Sequence, residues 1–314
     1  MRVVKFGGSS LATGTSVNQA LEIILADPSR QVMVVSAPGK RNSSDIKVTD
    51  LLIKYAKTVL NYQNYSKIVD EIYSRYQEIG HFFGLDETQL NIIKDILLSL
   101  PESSYPTDDY LIAAFKAHGE RLNARLIAMI LNQKGIKTKY LDPHEAGLTV
   151  TGEPNDAIVS PETYLNLDKI KIDSDEHIIF PGFFGITPSG HIATFSRGGS
   201  DITGAILAKG LHADLYENFT DVNGIFASNP AIIHHPQSIK TMTYREMREL
   251  SYAGFSVFHD EALIPAIQGN ISVNVRNTNN PDAPGTMISS KIEPDKNYPV
   301  RGISASKNFC GLYI

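Results

Sequence analysis

Short apolar runs rich in β-branched residues alternate along this chain with longer stretches of helical period, and no other feature limits the fold as much. Val3–Phe6 and Gln31–Ser36, with Val32-Met33-Val34-Val35, read as buried parallel strands, since a strand covered on both faces needs no polar alternation. Between them Val17, Ala20, Leu21 and Ile24 recur at helical spacing, with Ser16 placed to cap a helix over Ser16–Ala26. The same period predicts helices over Val48–Leu60 and Asp108–Leu131. Strands are predicted at Lys137–Leu141, Ile178–Pro181, His191–Phe195 and Asp214–Glu217, with a helix over Asp201–Lys209 between the last two. Thr243–Ala253 and Glu261–Gln268 read as helices and Ile271–Arg276 as a late strand. This order predicts an α/β fold, a largely parallel central sheet sandwiched between helices. Tyr65–Leu100 is helical, broken at Gly80–Gly84 and stopped by Pro101, which predicts a helical insertion at about residues 62–105.

Composition limits function. With 314 residues, 42% of them hydrophobic, the chain can bury a large core. Its net charge of −5 supplies no broad cationic field, which argues against nucleic-acid binding, so an anionic ligand must be held by local charges and amides. Cys310 is the one cysteine, so no intramolecular disulfide forms, as fits a reducing, cytoplasmic setting. No signal-peptide core and no apolar run near 18 residues stands in the sequence, which predicts no membrane partner.

Three polar, glycine-containing loops follow predicted strands. Lys5-Phe6-Gly7-Gly8-Ser9-Ser10 combines a strand-end lysine, two glycines and two hydroxyls, the means of bringing backbone amides up to a phosphate. It is neither G-x-x-x-x-G-K-[ST] nor G-x-G-x-x-G, and read alone it could equally be an ordinary tight strand-to-helix turn. Ser196-Arg197-Gly198-Gly199-Ser200-Asp201 ends a strand and opens a helix, offering amides, a helix N-terminus and a guanidinium at one point. Ser200 or Asp201 could equally be a plain helix cap. Phe219-Thr220-Asp221-Val222-Asn223-Gly224-Ile225-Phe226 is the third loop, and read alone it is a tight turn. Ligands of open α/β sheets bind beyond the carboxyl ends of the strands. Three such loops at one edge therefore point to phosphoryl transfer.

The chain resembles the aspartate kinases of the amino acid kinase family, of Gram-positive type, essentially end to end over residues 1–299. The likeness rests on K-F-G-G-S-S, His118-Gly119-Glu120, R-G-G-S-D, Phe219-Thr220-Asp221-Val222-x-Gly224-Ile225, Asn277-Thr278-x-x-Pro281 and Gly285-Thr286, and the Gram-positive type on S-Y-A-G-F-S-V-F-H-D-E-A at Ser251–Ala262. It implies an amino acid kinase fold and transfer of the ATP γ-phosphoryl group to the side-chain carboxylate of L-aspartate. The product would be 4-phospho-L-aspartate, at the first step of lysine, threonine and methionine biosynthesis. ATP with Mg2+ is the implied cosubstrate, no separate protein-held metal is implied, and a homodimer stays open. Lys5 would contact the transferring group, with Gly7, Gly8 and Ser9 supplying amides and a hydroxyl, and Asp201 would orient Lys5. Arg197 would pair with the substrate α-carboxylate and Glu120 with its α-ammonium. Ser36, Thr49, Phe183 and Ser200 would complete the substrate pocket, and Thr220, Asp221 and Phe226 would hold the nucleotide. Each has a plainer reading: Glu120 could pair with Arg121 or Arg125, and Phe183 could be core.

Residues 1–295 would form the catalytic domain, and 296–314 a linker and the start of an ACT-type regulatory domain cut short. The chain departs from the family pattern where it reads Asn229-Pro230-Ala231 and carries Ser256, positions at which many members hold nucleotide-contacting charges. Two alternatives follow: a kinase of the same fold acting on another carboxylate, or a silent regulatory module.

Overall fold

A computed structural model describes residues 1–228, 232–234, 236–252, 260–292, 300 and 302–303. Asn229-Pro230-Ala231, Ser256 and most of 296–314 lie outside the described residues. The strands are β1 (Arg2–Phe6), β2 (Val32–Val35), β3 (Thr138–Tyr140), β4 (Val150–Glu153), β5 (Asp156–Val159), β6 (His177–Pro181), β7 (Phe184–Ile186), β8 (Ile192–Thr194), β9 (Leu215–Thr220), β10 (Thr241–Thr243), β11 (Val273–Asn277) and β12 (Thr286–Ser289). The helices are α1 (Gly14–Leu25), α2 (Val48–Leu60), α3 (Ser66–Phe82), α4 (Glu87–Ser99), α5 (Asp108–Gln133), α6 (Glu162–Leu167), α7 (Gly199–Gly210), α8 (Tyr244–Tyr252) and α9 (Asp260–Gly269).

Eight strands form one sheet in the order β10-β12-β11-β9-β1-β2-β6-β3. Every pair is parallel except β11 with β12. Strand alternation splits the core between two faces. Val4, Phe6, Met33, Val35, Ile179 and Phe219 enter one cluster, with α1 to α5. Val3, Val32, Val34, Ile178, Phe180 and Tyr216 enter the other, with α7 and α9. The helical insertion appears as α3 and α4, whose Ile72, Tyr76, Leu90 and Ile93 join the first cluster.

Two local expectations are corrected. Thr13, not Ser16, caps α1: its hydroxyl accepts from the Ser16 amide at 3.2 Å. Neither Ser200 nor Asp201 caps α7; the cap is Gly198, at φ 72°, a conformation that costs glycine little, and both side chains lie inside the helix. The strand expected at His191–Phe195 is β8, but its antiparallel pairing with β7 was not anticipated, nor were the β4–β5 hairpin, β7, β10, β12 and α6.

Candidate active site

Register builds the site. Pro181, Val35, Phe6, Phe219 and Arg276 pair in one row across β6, β2, β1, β9 and β11, so these strands end level with one another. Their exits, carrying Gly182-Phe183, Ser36-Ala37, Gly7-Gly8, Thr220-Asp221 and Asn277-Thr278, therefore stand side by side at the carboxyl edge.

Lys5 is the last residue of β1 but one, and its register partner on β9 is Asn218. Both side chains point to the α7 face, where Asp201 occupies the first helical turn, a position that favours an anion. The Lys5 ammonium lies 2.6 Å from Asp201 Oδ1, and both residues are more than nine-tenths buried. A Cβ on Gly7 would stand 3.6 Å from Lys5 Nζ, which places that amine against the glycine loop. The Gly7 amide donates to the Phe219 carbonyl at 3.3 Å. Ser9 is exposed in the 3-10 turn that follows, and Ser10 Oγ lies 2.7 Å from Thr278 Oγ1.

Gly8 meets the exit of β2 backbone to backbone. Gly39 N donates to Gly8 O at 2.8 Å, and a Cβ on either residue would fall within 3.0 Å of the other loop's backbone. Ser36 is held by its amide to Phe6 O and by its carbonyl to Asn123 Nδ2 (2.7 Å). Thr49 stands in the first turn of α2, behind Pro38, which accepts from the Val48 amide at 3.2 Å.

Glu120 enters from α5 and is 5% exposed. Arg121 is engaged with Asp142 at 2.9 Å, and Arg125 lies over the Tyr140 ring at 4.4 Å, so neither takes the pairing that would make Glu120 structural. Glu120 Oε2 is buried without a hydrogen-bond partner. Burial pushes the carboxyl up to about 8, against the opposing pull of the Ala37 and Glu120 backbone amides and the Lys116 charge. The Ala37 carbonyl in turn abuts Gly8, so Glu120 and the glycine loop share one neighbour.

Phe183 is half-buried with φ 82°, a left-handed conformation rarely held by a bulky residue, and this sets it apart from plain core. Its carbonyl accepts from Phe195 N and its amide is paired with Thr203 Oγ1. Lys116 Nζ sits 5.3 Å over the Phe183 ring, one helical turn before Glu120. Ser200 packs on Gly182, where an added Cβ would come within 2.7 Å of its side chain. Arg197, in the β8–α7 loop, is exposed and has no ion pair among the described residues.

Thr220, Asp221 and Phe226 lie on the far side of Lys5. The Thr220 hydroxyl donates to Asp221 Oδ1, and its carbonyl accepts from Thr278 N at 2.9 Å. Phe226 is half-buried in a bridge to Ser238, and Ile225 N donates to Thr286 Oγ1, so this loop closes on β12 and is no simple hairpin. The structure thus gathers Lys5, Gly7, Gly8, Ser36, Phe183, Ser200 and Asp201 at one edge. Glu120 stands behind Ala37, and the Thr220–Phe226 loop stands to one side. Sequence reasoning passed over Asn218 and Lys116. An asparagine beside Glu217 in an otherwise aromatic and aliphatic strand core, and a lysine four residues before Glu120 on one helix face, were the available signals.

Among the described residues no group of three His, Cys, Asp or Glu side chains is placed to hold a metal ion, and no helix is long and apolar enough to cross a membrane.

This edge, with its lysine, glycine amides and helix N-terminus, belongs to a known class. The model of the amino acid kinase family matches residues 1–277, and the chain belongs to that family. It is 49% identical over 314 residues to aspartokinase 3 of Bacillus subtilis, covering all of this chain and 69% of that protein. The solved aspartate kinase of Clostridium acetobutylicum aligns with a TM-score of 0.81 at 34% identity, over 97% of this chain and 66% of that one. Escherichia coli aspartokinase III, solved with aspartate and ADP, aligns at 0.81 and 25% identity, over 93% of this chain and 65% of that one. The chain thus spans about two thirds of the length of these relatives.

Proposed function

We propose that the chain is the catalytic part of an aspartokinase, transferring the ATP γ-phosphoryl group to the side-chain carboxylate of L-aspartate. The observation that carries this reading is Glu120 Oε2, buried without a partner beside the phosphate-binding loop of Lys5: an ammonium is what that oxygen lacks. A simple dicarboxylate would leave it unpaired, whereas the α-ammonium of an amino acid satisfies it. Arg197 supplies the matching guanidinium for the α-carboxylate.

A carboxylate is already a nucleophile at neutral pH, so no general base is required. One side-chain oxygen of aspartate attacks the γ-phosphorus, the bond to the β,γ-bridging oxygen breaks, and ADP leaves. The task of the protein is to bring two anions together and stabilise charge on the transferring oxygens. Lys5, aimed by Asp201, contacts the transferring group, while Gly7, Gly8 and Ser9 offer amides and a hydroxyl. Thr220, Asp221 and Phe226 border the nucleotide, and Ser36, Thr49, Phe183 and Ser200 shape the aspartate pocket. Mg2+ enters as part of the nucleotide substrate. The reaction opens lysine, threonine and methionine biosynthesis in the cytoplasm. Residues 1–295 form the catalytic domain in this reading and 296–314 begin a regulatory one.

Trapping the acyl phosphate with hydroxylamine tests the proposal, with MgATP and, in parallel, L-aspartate, L-glutamate, N-acetylglutamate or succinate. Hydroxamate from aspartate alone is expected. Hydroxamate from succinate at an equal rate would remove the role given to Glu120, and none from any acid would overturn the reading.

A further inference from the structure

Asn218 stands between the two residues at the centre of the site. Its Nδ2 donates to Asp201 Oδ1 at 2.8 Å, and its Oδ1 accepts from Lys5 Nζ at 3.5 Å. It is 2% exposed, in a strand whose neighbours on the same face, Tyr216 and the paired Val3, are apolar core. Asparagine is disfavoured in strands, and a buried amide must be satisfied on both sides. Here one end gives a proton to Asp201 and the other takes one from Lys5, and the amide also hydrogen-bonds the Tyr216 hydroxyl on its own strand.

We infer that Asn218 is a positioning residue for phosphoryl transfer, holding the Asp201 carboxylate and the Lys5 ammonium in one triangle. This rests on the function proposed above. The geometry supplies the reason. Lysine has three N–H donors. Asp201 takes one at 2.6 Å and Asn218 Oδ1, at 3.5 Å, draws a second, which biases rotation about the terminal bond and leaves one donor for a phosphoryl oxygen. Without Asn218 the ammonium swings about its contact with Asp201, and the free proton no longer has a fixed direction. Asp201 is held independently from the backbone, since Tyr216 Oη donates to its carbonyl at 3.2 Å. At Asp201, Asn218 meets the carboxylate and Tyr216 the backbone carbonyl. The amide serves both partners because it is neutral; a carboxylate in its place would bring a second negative charge against Asp201.

Two variants test this in the full chain, read by hydroxamate formation. Asn218→Leu keeps the size of the side chain and removes both hydrogen bonds. It is expected to lower kcat about 10- to 100-fold while KM for the acceptor acid changes less than about threefold. Asn218→Asp keeps the shape and needs a shared proton to mimic the amide. The charged groups facing position 218 are Lys5 from β1 and Asp201 from α7. Tyr216 lies on the same strand, and the partner on β11 is Val275. Protonated, the new carboxyl donates to Asp201 as the amide does; ionised, it repels it. Its kcat is therefore expected to gain a limb that descends with rising pH, absent from the wild type. An asparagine remote from the reacting groups would not produce that limb, and the loss of kcat in Asn218→Leu, which adds no charge, separates positioning from the charge effect.

Wild-type kcat in Asn218→Leu, or an unchanged pH profile in Asn218→Asp, would overturn the inference. Should Asn218→Leu fail to fold, the Asn218→Asp profile decides. The acceptor acid is whichever one the wild type phosphorylates, so a different substrate corrects the proposed function and leaves this comparison intact. A wild type inert toward every acid would overturn both.

Discussion

Glu120 and Lys5 show how the same degree of burial serves opposite ends. Lys5 is buried with its charge answered by Asp201, whereas Glu120 is buried with one oxygen unanswered. Its carboxyl stands near 8, burial being the main cause, so it is largely protonated in the empty pocket at neutral pH. An arriving ammonium needs the ionised form. Accordingly kcat/KM for aspartate is expected to rise with pH along a limb of apparent pKa near 8, since that ratio reports groups of the free enzyme. Glu120→Gln should abolish the limb and lower kcat/KM about 10- to 100-fold. A limb that survives in this variant would assign it elsewhere. The sign for stability is also set: the folded carboxyl binds its proton more tightly than the unfolded one. The unliganded protein should therefore lose stability between the ordinary carboxylate range and about pH 8, and Glu120→Gln should not. Lys5→Ala and Arg197→Ala should divide the kinetics. The first removes a contact made mainly in the transition state and should reduce kcat about 100-fold or more. The second should raise KM for aspartate about 10-fold or more with a smaller effect on kcat. Near-normal turnover in Lys5→Ala would remove that residue from the chemistry.

At the level of elements, the glycine loop after Lys5 depends on the contact between the exits of β1 and β2. A Cβ on Gly39 would lie 2.6 Å from Gly8 C, 2.7 Å from Gly8 O and 2.8 Å from Ser9 N, all backbone atoms that no rotamer change can move. Gly39→Ala should therefore displace the Gly8 loop, cost about 1–3 kcal/mol of stability and raise KM for MgATP. Denaturant unfolding with steady-state kinetics checks it, and an unchanged KM for MgATP would show that the loop position is immaterial. The Lys5 loop alone reads equally as a tight strand-to-helix turn; it was legible as a site because two more polar, glycine-containing loops follow predicted strands. Its partner Gly39 was not, because nothing local marks a glycine whose neighbour is 31 positions away in the chain. The same division runs through the fold. The parallel strands and long helices were legible because both periodicities are strong in buried, apolar segments. The hairpins around Gly152 and Gly185 were not: Val150-Thr151-Gly152-Glu153 and Phe184-Gly185-Ile186 are three or four residues long and carry glycine. Their pairing is fixed by tertiary contact, not by local preference. The α7 cap was misjudged for a related reason: Gly198 turns the chain by its φ, so the serine and aspartate that look like caps were free for the site. Lys5, Asp201 and Glu120 could be named from the resemblance, whereas Asn218 becomes visible only once parallel register sets it opposite Lys5.

Across the whole molecule, β9 joins the two halves of the core and carries a different task on each face. Tyr216 and Asn218 face α7 and the site, while Glu217 and Phe219 face α1. Glu217 is fully buried and receives Arg30 at 2.7 and 3.0 Å and Arg276 at 2.7 Å. Arg30 also donates to Ile23 O on α1, and Arg276 to Pro281 O beyond β11. Both guanidiniums flank the Phe219 ring, which stacks on Phe6 at 5.1 Å. One carboxylate thus ties α1, β9 and β11 together directly beneath the row where the strands end. Burial alone would raise the Glu217 carboxyl, but the two arginines outweigh it and hold it below its ordinary value. A group depressed in this way contributes stability above its unfolded pKa and loses it as pH falls through the folded value. Glu217→Gln should leave the buried Arg30 and the part-buried Arg276 without this counter-charge and cost about 3–5 kcal/mol at neutral pH. The difference between wild type and variant should shrink on acidification, as the wild type protonates the group the variant has already lost. Urea unfolding at neutral pH and near pH 3 measures both quantities. Equal stability at neutral pH would mean that the arginines are satisfied without Glu217. A difference that persists unchanged into acid would mean that its charge is not what holds the strands. Since Phe219 O also accepts from the Gly7 amide, a loosened network should reach the glycine loop after Lys5 as well. Glu217→Gln is therefore expected to raise KM for MgATP even though the residue never meets the nucleotide.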